Sequence, residues 1–243
     1  MQFLQRLNLA GFGLALLCAL AAVAAGLGAR SGLWHFRTGF TILTWAAYGA
    51  LVAVVLGLVA FVIDRSSWKA ILLALLTVVL GSLVAGVPWQ MKQRAQHVPP
   101  IHDITTDTQN PPVFIAILTL RRDAPNPAEY GGADIAAQQQ KAYPDLRPLL
   151  LNVPPMEAFQ KGLEAARLTG WQIGDANQEQ GRIEATDTTL WFGFKDDIVV
   201  RVTPNDHGSR IDVRSVSRVG KSDVGKNASR IQEYLAKIRK ALS

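Results

Sequence analysis

Cysteine is nearly absent. The one thiol, Cys18, lies within an uncharged apolar stretch, so this 243-residue chain has no intrachain disulfide, no cysteine metal cluster and no thiol nucleophile in a soluble region. Also missing are the Gly-x-Ser-x-Gly turn that presents a hydrolase serine, the His-Glu-x-x-His helix that grips zinc, and any Cys-x-x-Cys pair. Catalysis therefore has no positive support, and neither a cofactor nor a metal is expected. No internal repeat or low-complexity tract occurs. Carboxylates are scarce in one region only. Before residue 96 there is a single acid, Asp64, against seven bases (Arg6, Arg30, Arg37, Arg65, Lys69, Lys92 and Arg94), whereas the remainder holds 18 of each sign. The net charge of +6 thus belongs to the first part.

That first part contains three uncharged apolar stretches, residues 9–27, 40–63 and 71–89, each about 19 to 24 residues long. A helix rises about 1.5 Å per residue, so roughly 20 apolar residues cross a hydrocarbon core of about 30 Å. A soluble helix of this length would carry a charged face, and these carry none. The first stretch is longer than the h-region of a cleaved export signal, typically about 7 to 15 residues, and two more stretches follow, so it reads as a retained span. Trp34, Phe36, Trp45, Trp68 and Trp89 sit near span ends, where amphipathic rings favour the headgroup zone. Membrane lipids are the first expected partner, in a bacterial inner membrane. Three spans put the two termini on opposite sides. The loop charges nearly balance, Arg6, Arg65 and Lys69 against Arg30, Arg37, Lys92 and Arg94. The short basic start before an export-like helix favours an inside amino terminus and a periplasmic carboxy-terminal domain.

The membrane region is accordingly 1–91. Residues 92–100 read as a linker, since Pro99-Pro100 cannot continue a helix, and residues 101–243 form the soluble domain. Its opening portion is rich in Pro, Asn, Asp and Gly, with one apolar run at 113–120 and a short helix expected at 133–143. From Pro155, the spacing of Met156, Phe159, Leu163 and Ala166 predicts an amphipathic helix capped by Gly170. Five short strands are expected at 171–174, 182–188, 190–195, 198–203 and 210–217, with Asp196-Asp197 marking a turn and Asn205-Asp206-His207-Gly208 a hairpin. A last helix from Arg230 places Ile231, Leu235, Ile238 and Leu242 on one face. The fold class is α+β: three amino-terminal transmembrane helices, then a two-layer domain with an antiparallel β-meander and packed helices.

The soluble domain is neutral yet polarised. Residues 96–200 hold eight bases and 14 acids, and residues 201–243 hold ten bases and four acids. One reading is internal pairing of the basic end with the acidic body. The sharper reading is an anion-binding patch of Arg214, Arg218, Lys221, Ser222, Lys226 and Arg230, where a glycine-bearing loop would open the last helix and offer unpaired N–H groups. Ser215 to Ser222 approaches the phosphate-loop pattern but has serine in place of its first glycine. His102, Asp103, Thr105, Thr106 and Asp107 match no metal-ligand spacing and read as a structural motif, with Asp103 and Asp107 tying down a turn through backbone or hydroxyl hydrogen bonds. Nucleic acid is not an expected partner, since no aromatic platform accompanies the bases.

The segment from Asp212 to Asn227, together with Ile101 to Asp107 and the Pro111-Pro112 pair, resembles the bacterial and plastid family of domains of unknown function numbered 1499, over roughly residues 98–243. That resemblance implies a shared domain and no activity. Three functional expectations stand beside it. One is an uncharacterised membrane protein whose domain binds an anionic ligand, a lipid headgroup or an envelope protein, or maintains the envelope. Another is a membrane-anchored scaffold without a small ligand, and the third is an enzyme of unknown reaction. Mutual burial of the polar residues would favour the scaffold.

Overall fold

The computed structural model describes residues 2–64 and 67–242; Arg65, used in the loop-charge comparison, lies outside them. The chain divides into two compact units, Met1–Gln93 with Leu190–Gly193, and Arg94–Thr189 with Phe194–Ser243.

Among the described residues are three helices long and apolar enough to cross a membrane, α1 (Gln2–Arg30), α2 (Phe36–Ile63) and α3 (Trp68–His97), of which only the last four residues of α3 fall outside the first unit. The faces they bury are built of small residues. On α1 these include Gly11, Ala15, Cys18, Ala22 and Ala25, and on α2 Gly39, Ala46, Ala50, Ala53, Gly57 and Ala60, which together with Leu43 recur every three or four residues. Without a hydrophobic drive in lipid, such residues let backbones approach closely. A Cβ added at Gly39 would lie 2.6 Å from the Ala25 carbonyl oxygen, and one added at Gly81 would lie 2.8 Å from that of Ala50. Large side chains such as Leu17, Leu51, Val55 and Val79 are exposed instead, as lipid-facing residues are. One polar tie joins α1 to α3, where the Asn8 amide donates to the Ala70 carbonyl at 2.8 Å.

Helix α3 continues past the apolar span to His97, so the expected linker at 92–100 is helical for most of its length. Residues 90–97 contain no β-branched residue or glycine to stop it, and the Pro99-Pro100 pair does. Only residues 98–102 separate α3 from the first strand.

The second unit contains one antiparallel sheet. Its strands are β1 (Asp103–Thr105), β2 (Leu149–Leu151), β3 (Gln172–Asn177), β4 (Arg182–Thr188), β5 (Lys195–Asn205) and β6 (Gly208–Ser217). Strands β3 to β6 form a meander, and β1 and β2 both pair along the outer edge of β6. Helices α4 (Gly132–Ala142), α5 (Pro155–Leu168) and α6 (Lys226–Leu242) complete it. The main core lies under α5 and α6, where Ile183, Ile198, Val200, Ile211 and Val213 meet Phe159, Ala166, Ile231, Tyr234 and Ile238. The Tyr234 ring stacks on Trp171 at 4.7 Å, and its buried hydroxyl donates to the Gly162 carbonyl at 2.9 Å. The opposite sheet face is covered by the segment from Thr106 to Tyr130, which includes a 3₁₀ turn at Ala116–Arg121; its Phe114 and Ile117 form a small apolar island with Val199 of β5 and Val216 of β6.

Two local expectations change. The strand expected at 190–195 is instead the connection into β5, with Gly193 at φ +69°. Asp196 and Asp197 are not a turn; they lie inside β5, 4% and 0% exposed. A paired-acid sequence normally marks a turn because carboxylates resist burial, and here arginines meet both.

Candidate functional site

Strand alternation sorts the polar residues onto two sheet faces. Under the Thr106–Tyr130 segment, β4 presents Arg182, Glu184 and Thr186, β5 presents Asp197 and Arg201, and β6 presents Arg210, Asp212 and Arg214. The result is a layer of ion pairs sealed beneath a loop.

Asp103 on β1 receives a forked pair from Arg214, Nε at 2.9 Å and Nη2 at 2.7 Å. The remaining Arg214 donors go to the carbonyls of Pro112 and Ala128, at 3.2 and 2.8 Å. This guanidinium, 1% exposed as a residue, therefore binds the covering segment to the sheet. Its plane also faces the rings of Phe114 and Tyr130, each 5.4 Å away. Burial, reinforced by the Asp103 charge, pushes the Tyr130 hydroxyl up to about 12.

Asp197 is shared. Arg218 donates to its two oxygens at 2.8 Å each, Arg121 donates at 2.6 Å and the Thr186 hydroxyl at 2.6 Å. Burial opposes ionisation of this carboxyl, but the hydrogen bonds from Arg218 and Thr186, the Arg218 charge and the Arg121 hydrogen bond together hold it below its ordinary value. Next to it, Glu184 accepts from the backbone N–H groups of Ile115, Ala116 and Ile117 at 2.8, 3.2 and 2.8 Å, capping the 3₁₀ turn from a neighbouring strand. At the far end, Asp107 and Asp212 take Arg201 and Arg210 between them.

The other face carries a smaller network. Arg230 of α6 donates to Asp187 at 2.9 and 2.7 Å, to Asp196 at 2.6 Å, to the Ser215 hydroxyl at 3.1 Å and to the Asn227 side chain. Asn227 reaches back to the His102 carbonyl at 2.9 Å.

The six residues expected to line one anion region are therefore divided. Arg214 and Arg218 belong to the layer under the covering segment, and Arg230 belongs to the network beneath α6. Lys221 and Lys226 are exposed and form no ion pair among the described residues. The N–H groups before α6 have internal acceptors. Val224 donates to the Ser222 hydroxyl at 3.2 Å, and Gly225 and Asn227 donate to Asp223 at 2.8 and 2.7 Å. Asp223 itself is raised, mainly by burial, in spite of those two donors. Helix α6 begins at Lys226, after Val224 at φ +56°, one turn before the expected start at Arg230. Ser215, in the place of a phosphate-loop glycine, is fully buried inside β6.

In the motif that contains β1, Asp107 accepts from the N–H groups of Gln109 and Asn110 at 3.1 and 2.9 Å, and Thr106 accepts from Val213 N–H at 2.9 Å. Thr105 Oγ1 accepts from Asp107 N–H at 3.2 Å. Asp103 differs from expectation, since its partner is a guanidinium and not a backbone or hydroxyl donor. His102 contributes its backbone to β6, its carbonyl accepting from Ser217 N–H at 3.0 Å.

Sequence reasoning passed over Arg121, Arg182, Glu184, Thr186 and Asp187, and read Asp196 and Asp197 as a turn. A signal existed. Arg182-x-Glu184-x-Thr186 and Arg210-x-Asp212-x-Arg214 both repeat polar residues with period two, the mark of one strand face, and Asp197 and Arg201 keep the same phase on either side of Val199. Chemically, carboxylates saturated by guanidinium donors make poor proton acceptors, and the arrangement holds a loop in place more readily than it moves protons. Among the described residues, no three His, Cys, Asp or Glu side chains converge to hold a metal ion.

A search of curated proteins finds no match to this chain. A family model described as Protein of unknown function (DUF1499) matches residues 103–238, beginning at the first residue of β1 and ending within α6. With more than half of its length inside that match, this three-span membrane protein belongs to the DUF1499 family.

Proposed function

We propose that this protein is a membrane-anchored interaction module whose α+β domain acts through its outer surface and has no small-anion site, with the domain held outside the cytoplasm. The observation that carries this reading is the commitment of Arg214, Arg218 and Arg230 to Asp103, Asp197, Asp187 and Asp196. Anion recognition draws on guanidinium donors and helix-end N–H groups aimed at open space. Here those donors meet internal carboxylates and carbonyls, which leaves only two exposed lysines from the expected set. Arg6 before an export-like first helix supports the outside placement.

The test is a phosphate titration of the purified full-length chain in detergent, read by thermal unfolding at low and high salt. The expected curve is flat, and Lys221→Glu unfolds at the wild-type temperature because an exposed loop charge contributes only about ±0.5 kcal/mol. A saturable stabilisation that weakens with salt and disappears in Lys221→Glu would overturn the reading and restore an anion site.

A further inference from the structure

The segment covering the ion-pair layer has an outer side as well. Phe114, Ile117 and Arg121 point inward and are at most 5% exposed. Between and beside them Val113, Ile115, Leu118 and Leu120 point outward, 65%, 53%, 43% and 60% exposed. Single exposed apolar side chains are ordinary, but four within eight residues are a concentration of apolar surface, called the ridge below. The ridge is also fixed. Glu184 holds the N–H groups of residues 115–117, Arg214 holds the Pro112 carbonyl, and Arg218 holds that of Leu120 at 2.9 Å.

Cations surround its carboxy-terminal end. Arg122 follows directly and is exposed. Lys195 is adjacent, because the Arg218 N–H bonds its carbonyl at 2.9 Å, and Lys221 is adjacent, because the Asn126 amide bonds the Gly220 carbonyl at 2.9 Å. Both lysines are exposed, and Asp123 is the one exposed carboxylate among the described residues 113–126, 194–195 and 218–222.

We infer that the ridge Val113–Leu120, with Arg122, Lys195 and Lys221, docks on the anionic surface of the bilayer that the same chain spans. The inference rests on the surface-acting reading above. Apolar side chains beside cations are the chemistry of a segment that rests at a headgroup boundary. A stable protein partner needs about 1,000 Å² or more of interface, far beyond four side chains. A bilayer contact can be small, since residues 90–97 of α3 rise about 12 Å past the apolar span and residues 98–102 extend over at most about 17 Å, which keeps the lipid at high effective concentration.

The experiment places the full-length protein, with Cys18→Ser, in lipid nanodiscs and attaches a polarity-sensitive fluorophore at Leu120→Cys. Leu118→Cys provides a second ridge position, and Leu168→Cys, 71% exposed at the end of α5, the comparison. In nanodiscs containing phosphatidylserine, the ridge labels shift to the blue and are quenched by spin-labelled lipid, and the label at 168 is not. Pure phosphatidylcholine, or Lys195→Glu with Lys221→Glu, makes the quenching on the order of tenfold weaker. Ridge labels as aqueous as the one at 168 would overturn the inference. So would lipid quenching indifferent to lipid charge and to both lysines, or a blue shift without lipid quenching, which means a protein or a second copy covers the ridge. The phosphate titration decides the parent reading separately: a flat titration with aqueous ridge labels leaves the interaction module and removes only its bilayer contact.

Discussion

Asp197 shows what one buried charge does here. It is 0% exposed and holds Arg121, Arg218 and Thr186 together, so Asp197→Asn leaves two guanidiniums short of their counter-charge. Breaking a buried pair from one side costs about 3–5 kcal/mol, on the order of 10 °C in unfolding temperature for a domain of this size. Thermal melts of the full-length protein check this. The pH dependence follows from the direction of its shift. A carboxyl held below its ordinary 3.8 in the folded state contributes stability that is fully present above that value and is lost as pH falls through the lower folded one. Asp223 is raised and works in the opposite sense, taking its proton earlier as acid is added and gaining stability for the fold. Melts from pH 7 to 3 should show the wild type losing stability below about pH 4 and Asp197→Asn, lower throughout, losing less of it. Equal acid slopes would show that another carboxylate controls the acid limb.

Elements differed in how plainly the sequence announced them, and burial explains the difference. Three long uncharged runs are unmistakable as spans, since nothing else tolerates that composition. Helix α5 is legible from its proline start, its apolar spacing and Gly170 at φ +82°, and the β5–β6 hairpin from Asn205 to Gly208. Strands β1 and β2 have three residues each, too short for any period to register, and their existence depends on an edge of β6 more than 50 residues away in the chain. Strand β5 was obscured by Asp196-Asp197, since the arginines that make those carboxylates tolerable come from Arg121, Arg218 and Arg230. The candidate site was misread for the same reason. A cluster of bases along the chain looks like a surface until its acids, scattered from 103 to 197, are brought to it. Within the membrane unit, small residues were visible as composition only, and their contacts give them a testable role. Gly81→Leu puts a side chain where a Cβ already approaches the Ala50 carbonyl oxygen at 2.8 Å, so α3 should separate from α2. Crosslinking between cysteines introduced at facing positions of the two helices in nanodiscs should fall sharply in this variant, with Gly81→Ala as a milder comparison.

For the molecule as a whole, the three candidate spans among the described residues are the strongest constraint, because an odd number would send the carboxy-terminal domain to the side opposite the amino terminus. With an inside start, a phosphatase fused after Ser243 should be active and a green fluorescent protein at the same place dark; the reverse pattern would invert the orientation and leave three spans. The pairing of β1 with β6 has a consequence for biosynthesis. Asp103 is among the first residues of the domain to be made, yet it pairs in the sheet with Val216 and by charge with Arg214, over a hundred positions later. No shorter nascent chain can satisfy that carboxylate or seat the Thr106–Tyr130 segment, whose ties run to β4, β6 and Arg218. Folding of the domain must therefore wait for nearly complete translation, while its amino-terminal end is already attached to inserted helices. A ribosome stalled before residue 217 should display a protease-sensitive domain, and release of the full chain should convert it to a resistant one in a single step.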